Sequence, residues 1–282
     1  MRGFSILICC LPFVSFGQSR IQLTLMGGFA NYQGDLQSKR YTTNQSNLAF
    51  GAGVRYELTN KIALRSGVNV GSLGASDKEN KATLQPRNLS FQTRLFEWNL
   101  LAEYTFYDLT ERRISPYVFG GIAVYNFNPF TRDTLGNKIF LKPLSTEGQG
   151  LGQYPESKNY SLTQLAVPLG AGVKFRITDR AVLGFEIGMR KLFTDYLDDV
   201  STRYVDPSIL LQERGPKAVE MSYRGGELKD GNPVYPVNEV RGGAKFKDWY
   251  YFSGLSLSIG LNGYGGFSGG GRSKTGCPVN VF

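Results

Sequence analysis

The sequence predicts an all-β fold: an eight-stranded antiparallel transmembrane β-barrel with short periplasmic turns and long extracellular loops. Three observations predict it. Eight segments alternate apolar residues with small or polar ones. The connections between them alternate strictly between short and long. Aromatic residues gather where the segments meet the long connections. Gly is abundant at 35 of 282 residues, in keeping with strands joined by many turns.

The chain opens with MRGFSILICCLPFVSFGQ, in which Arg2 precedes an apolar run that ends before Gly17 and Gln18. Residues 1–17 read as a secretory signal peptide, too short to span a bilayer as a helix. Cys9 and Cys10 lie inside that apolar run, with no small-residue cleavage site before them, so lipidation is not expected. A mature chain beginning near Gln18 keeps one cysteine, Cys277, and no histidine. Zinc sites built on Cys and His, and Ser-His or Cys-His nucleophiles, are thereby excluded. The formal charge is +9, but the basic residues are scattered, so no nucleic-acid partner is expected.

The eight segments fall at roughly 19–32, 48–58, 62–72, 90–107, 115–127, 161–176, 181–194 and 249–261. In the second, Phe50, Val54 and Tyr56 alternate with Gly51, Gly53, Arg55 and Glu57. The fifth, SPYVFGGIAVYNF, is apolar on both faces, so its parity stays open. In the sixth, Leu165, Val167, Leu169, Val173 and Phe175 share one face. In the seventh, Leu183, Phe185, Ile187 and Met189 alternate with Gly184, Glu186, Gly188 and Arg190. The last alternates Leu255, Leu257, Ile259 and Leu261 with Ser256, Ser258 and Gly260.

A soluble sandwich and a membrane barrel both produce this pattern, and the connections separate them. Segments two and three, four and five, and six and seven are joined by a few residues; 33–47, 73–89, 128–160 and 195–248 are long. All tight turns then lie at one end, as in outer-membrane barrels. Each segment also reaches the roughly 9–11 residues that a tilted crossing needs. Phe29, Tyr32, Tyr125, Phe127, Phe193, Tyr196 and the run WYYF at 249–252 resemble an interfacial girdle. The predicted site is the bacterial cell outer membrane, with residues 18–261 as the barrel in contact with lipid and 262–282, rich in Gly and Ser, as a flexible periplasmic tail.

An eight-stranded barrel has a lumen that side chains can fill. The inward set holds Arg55, Glu57, Arg65, Asn69, Glu97, Glu103, Lys174, Arg176, Glu186 and Arg190. Both signs occur, as buried charges require, so a plug of ion pairs is predicted rather than an open pore. In the last long connection, Asp206 suits an N-cap, Pro207 the first helical position and Gly215 the stop, giving a short helix over 207–213. The remainder of that connection reads as an ordinary surface loop or partly disordered.

The densest chemistry is FTDYLDDVSTRYVD, residues 193–206, at the loop end of the seventh segment. It should meet NYQGDL of the first segment (Tyr32, Gly34, Asp35) and KDW before the last (Lys247, Asp248, Trp249). Asp195, Asp198 and Asp199 are candidate oxygen ligands for Ca²⁺, although their spacing is not that of an EF-hand loop. A hydrolytic carboxylate pair is a second reading. The third is structural: Asp and Tyr196 or Tyr204 side chains bond loop backbone, Arg203 pairs with an acid, and the rim becomes a rigid surface.

These motifs also carry a resemblance. DYLDDVSTRYVD, NYQGDL, ISPYVFGGIAVYNFNP, VPLGAGVKFRI, GFEIGMRKLFTDYLDD and KDWYYFSGLSLSI resemble the PorG family, outer-membrane barrel components of the type IX secretion system. The resemblance runs over most of the mature chain and is weakest in the 128–160 and 207–245 connections. It implies a non-enzymatic anchor that contacts periplasmic ring proteins and other secretion-system subunits, with no cofactor and no catalytic residue. A contact with the ring would use Asn60–Lys61, Arg112–Arg113, Asp179–Arg180 and the tail, where Cys277 could form an intermolecular disulfide in the oxidising periplasm. The alternatives are a generic small barrel for membrane integrity or adhesion, a barrel enzyme, which the lack of His opposes, and a passive channel, which a filled lumen opposes.

Overall fold

The structure, a computed structural model, describes residues 20–261. The leader and the tail, with Cys277, lie outside the described residues. Ten strands follow in order: β1 (Ile21–Gln33), β2 (Asn47–Glu57), β3 (Ile62–Ser76), β4 (Ser90–Thr105), β5 (Ile114–Asn126), β6 (Phe130–Arg132), β7 (Lys138–Phe140), β8 (Thr163–Arg176), β9 (Ala181–Leu192) and β10 (Trp249–Gly260). Eight of them form one antiparallel sheet in the order β3-β2-β1-β10-β9-β8-β5-β4, and pairing of β3 with β4 closes it into a barrel. No helix among the described residues is long and apolar enough to cross a membrane. The crossing is done by strands.

Alternation decides which residues face out. Leu25, Phe50, Phe96, Ile122, Leu165, Phe185 and Leu255 ring the outer wall, with exposures from 48% to 60%. Such a continuous apolar exterior fits a hydrocarbon environment, because soluble monomers rarely expose large apolar patches. The open parity of the fifth segment resolves cleanly: Tyr117, Phe119 and Tyr125 of β5 face in, while Val118, Ile122 and Val124 face out.

Three expectations need correction, the third in the last long connection, described below. The third segment was expected to end at 72, but β3 continues to Ser76, which pairs with Ser90. Leu73 and Ala75 keep the inward parity there, although intervening Ser and Gly hide the apolar alternation. The loop-end aromatics do not form one girdle. Phe29 and Phe193 do face out, at 48% and 61% exposure. Tyr32, Tyr125, Phe127, Tyr250 and Phe252 point inward and form a core with Leu36, Leu197 and Met221 of the long connections. Neighbouring strand residues point to opposite faces, so a cluster in sequence divides between lipid and interior.

The connections 58–61, 106–113 and 177–180 are short and share one end of the barrel. The other four gather at the opposite end. Within one of these, β6 and β7 make a small hairpin that joins β4 through Gln92 and Phe130. In another, helix α1 (Pro207–Arg214) forms as expected, with Asp206 accepting from the Ser208 amide at 2.8 Å. A second helix, α2 (Pro216–Ser222), follows directly. The 195–248 connection is therefore a folded roof and not an ordinary loop.

Candidate functional site: a filled lumen under a folded roof

Inward-facing charges stack in three layers along the barrel axis. Nearest the short turns, Glu103 of β4 accepts from Arg55 of β2 at 2.9 Å and from Lys174 of β8, and Arg55 also holds Glu57 at 2.6 Å. In the middle layer, Arg65 of β3 meets Glu186 of β9 at 2.7 Å, the Tyr117 hydroxyl donates to the same carboxylate at 2.6 Å, and the guanidinium lies 4.9 Å over the Phe119 ring. Toward the roof, Arg190 of β9 donates to Glu97 of β4 at 3.0 Å, joined by Asn69, Asn99 and the Tyr250 hydroxyl. Arg176 faces inward near the short turns and lies 3.9 Å from Asp179.

The pairs bridge strands far apart in sequence. Glu186 and Arg190, four residues apart on one strand face, are not partners; each finds its counter-ion across the lumen. Glu97 and Arg190 are 0% and 1% exposed. Charges this deep are tolerated only when paired and hydrogen-bonded. The result is a cross-braced plug.

Above it, FTDYLDDVSTRYVD and its neighbours converge, but as an interior and not as a surface. Asp195, Asp198 and Asp199 are 3%, 1% and 0% exposed. The Tyr32 hydroxyl donates to Asp198 at 2.6 Å and lies 3.2 Å from Asp248. Asp198 and Asp248 in turn accept the amides of Val200 and Leu197, which fixes the turn after β9. Asp199 accepts from Thr146 at 2.5 Å and from Tyr160 at 2.7 Å, and its φ of +64° is one that Asp tolerates better than most residues. Asp195 accepts from the Ser201 hydroxyl at 2.8 Å. Asp35 accepts the Gly243 amide at 2.9 Å. Gly34 has no room for a side chain: a Cβ there would stand 1.9 Å from the Tyr32 hydroxyl and 2.0 Å from Asp248.

The keystone is a pair that the sequence reading missed. Arg241 donates to Glu147 at 2.9 Å, to the Asp199 carbonyl at 2.6 Å and to the Ser222 carbonyl at 3.1 Å. Glu147 also accepts the Ser201 and Thr202 amides. Arg87 adds a second clip, holding Asp77 at 2.7 Å and donating to the carbonyls of Asp35 and Arg241. All four long connections are thus tied together. Arg203, expected to pair with an acid, instead donates to the Asn238 carbonyl at 2.8 Å and is exposed. Tyr204 packs edge-on against Tyr223 and Tyr235, Tyr196 stacks on Tyr160 with ring centroids 5.1 Å apart, and Trp249 is partly buried at the start of β10. The available signal for the missed pair was a charge embedded between glycines, in TEGQG and VRGG.

The rim acids face different partners. Asp195 turns to Ser201, Asp198 to Tyr32, and Asp199 to Thr146 and Tyr160. Among the described residues no group of three or more His, Cys, Asp or Glu is placed to hold a metal ion. Burial dominates their electrostatics. Desolvation pushes the Asp195 carboxyl up to about 7, and that of Asp199 up to about 6 despite Arg241. Asp198 and Asp248 are raised further by desolvation and by other roof acids, Asp35 and Asp198 respectively foremost.

A pH dependence follows, and its sign is unusual. Each of these groups binds its proton more tightly when folded, so the folded roof carries more protons than the unfolded one. The proton-linked stability is therefore complete below the ordinary carboxylate value of about 4 and is lost as pH rises through about 6 to 7. Hydrogen exchange of the 195–206 amides, corrected for the intrinsic rate at each pH, should show stronger protection at pH 5 than at pH 8. Protection that is flat or rises with pH contradicts the assignment.

A closed antiparallel barrel with an apolar wall and polar interior is one of the forms in which a chain can cross a bilayer. Even-stranded single-chain barrels of this kind reside in the bacterial outer membrane, and that is where this chain resides. The chain is similar to three solved outer-membrane structures. Neisserial surface protein A (NspA) is 11% identical, with 87% of this chain and 99% of that chain covered and a TM-score of 0.42. Ail, the attachment invasion locus protein of Yersinia pestis, is 9% identical, with 86% and 99% covered and a TM-score of 0.41. The outer membrane protein OprG from Pseudomonas aeruginosa is 12% identical, with 86% and 98% covered and a TM-score of 0.39. No curated protein matches this chain in sequence. Residues 1–135 and 145–207, which hold every barrel strand except β10 together with Glu147 and the acids that follow β9, match the family described as Domain of unknown function (DUF6089), and the chain belongs to that family.

Proposed function

We propose that this barrel is a non-enzymatic structural component of a type IX protein secretion and gliding machine, anchoring it in the outer membrane through contact with its periplasmic ring. One observation carries the non-conducting, structural part of the reading: the lumen is braced by ion pairs at three levels and roofed by four interlocked connections. A barrel so built transmits force or position better than it passes solutes. The secretion role rests on the resemblance of DYLDDVSTRYVD, NYQGDL and KDWYYFSGLSLSI to the PorG family.

In this reading the short-turn end faces the periplasm and supplies the contact. It presents Lys61, Arg112, Arg113 and Arg180 beside the structured turn where Asn60 donates to Asp108 at 2.6 Å. The reading assigns no catalytic residue and no cofactor. Mild crosslinking of outer membranes followed by capture of a tagged chain should recover periplasmic ring proteins. Substituting Lys61, Arg112, Arg113 and Arg180 together by Gln should reduce that recovery several-fold without changing membrane insertion. Ring proteins absent from the wild-type capture, together with normal protein secretion in a deletion strain, would leave the generic small barrel for membrane integrity or adhesion as the better account.

A further inference from the structure

The outer wall carries a second chemistry. Along the eight barrel strands, the charged residues that point outward are Arg94 of β4 and Lys191 of β9. Both are cations and both lie near the roof end. A charge on the lipid side is costly at mid-membrane and nearly free at the interface. Their positions therefore mark the headgroup level, and their shared sign marks what they face.

Arg94 stands at the junction of two grooves. The lower one, about 430 Å³, runs down the lipid-facing wall between Leu48, Phe50, Val70 and Phe96. The upper one, about 510 Å³, is lined by Arg94, Ser72, Gln92 and Arg132, the last from the β6–β7 hairpin. Arg132 uses one guanidinium nitrogen on the Gly136 carbonyl at 2.9 Å and has others free to donate. No carboxylate lines either groove. The arrangement joins an apolar trough at acyl-chain depth to a fork of guanidinium donors just above it. Planar guanidinium groups match phosphate oxygens two at a time.

We propose that this face binds a phosphate-bearing lipid of the surrounding leaflet, with its phosphate held by Arg94 and Arg132 and its acyl chain laid along Leu48, Phe50, Val70 and Phe96. A lipid held there would give the barrel one preferred face toward its lipid shell.

Native mass spectrometry of the full chain in detergent tests this with three probes: a diphosphorylated lipid A, the same lipid after phosphate removal, and inorganic phosphate. Wild type should retain the diphosphorylated lipid and lose retention about tenfold for each of Arg94→Gln and Arg132→Gln, the effect of removing one charge-assisted hydrogen-bonding group. Arg94→Lys should keep an intermediate level. Both arginines are exposed, so heat-modifiable gel mobility should report an unchanged barrel in every variant. Equal retention of the dephosphorylated lipid, or of the diphosphorylated lipid by the double Gln variant, overturns the proposal. So does full displacement by millimolar inorganic phosphate, which would mark a simple anion site.

Discussion

Arg241→Ala should open the roof and leave the barrel standing. Arg241 is 2% exposed and its guanidinium is committed to Glu147, Asp199 and Ser222. Removing it strands the Glu147 carboxylate, itself fully buried, without a counter-ion. Breaking a buried pair from one side costs about 3–5 kcal/mol. The loss falls on the roof, because the side-chain hydrogen bonds of both residues go to partners in the long connections. Thermolysin cleavage within 195–248 of the protein in micelles should accelerate at least about a hundredfold, the factor that 3 kcal/mol implies. Heat-modifiable mobility of the barrel should be retained. Replacing both partners, Glu147→Gln with Arg241→Met, should recover much of the protection, since two neutral side chains leave no stranded charge. Arg203→Ala is the internal control, because its one carbonyl contact lies at the surface, and cleavage should change by less than about threefold. Unaltered cleavage of Arg241→Ala would mean that the roof is held by something else.

Glu97→Ala should be the most damaging single change inside the barrel. The carboxylate accepts from Arg190 at 3.0 and 3.2 Å, Asn69 at 2.8 Å, Asn99 at 2.9 Å and Tyr250 at 2.6 Å. Its loss leaves a buried guanidinium with the Gly188 carbonyl and the face of Phe252 but no hydrogen-bonded carboxylate among the described residues. A cost of about 3–5 kcal/mol is expected from the orphaned charge, before counting the three neutral donors. Urea unfolding in micelles, followed by gel mobility, should move its midpoint down accordingly. Leu169→Ala on the lipid face serves as the contrast and should cost well under half as much in detergent, because the side chain is 47% exposed and its loss strands no charge. If the two variants unfold at the same urea concentration, the lumen network does not brace the barrel.

The barrel was legible because one rule, alternation with period two, repeats along every strand and fixes both the strand and its facing. Gly-Glu-Gly-Arg opposite Leu-Phe-Ile-Met in β9 leaves little choice. β5 escaped the rule because its inward face is lined by Tyr117, Phe119 and Tyr125, which are as apolar as its lipid face. The same blind spot turned Tyr32, Tyr125 and Tyr250 into a supposed girdle, although they plug the mouth. The roof was less legible. Its keystone joins Glu147 to Arg241, which are 94 residues apart in Gly-rich stretches without periodicity. Local composition reads such stretches as loop, and only the closure of the barrel brings them together. The acid cluster was found, but as a surface; Arg203 was the nearest cation in sequence, whereas space selected Arg241.

Lumen and roof together make a specific claim, that this barrel is a sealed body and not a conduit. Planar-bilayer recording on the purified wild-type protein tests it most directly. No discrete conductance steps above the bare membrane are expected from pH 5 to pH 8. Stable, reproducible single-channel openings in the wild type would contradict it.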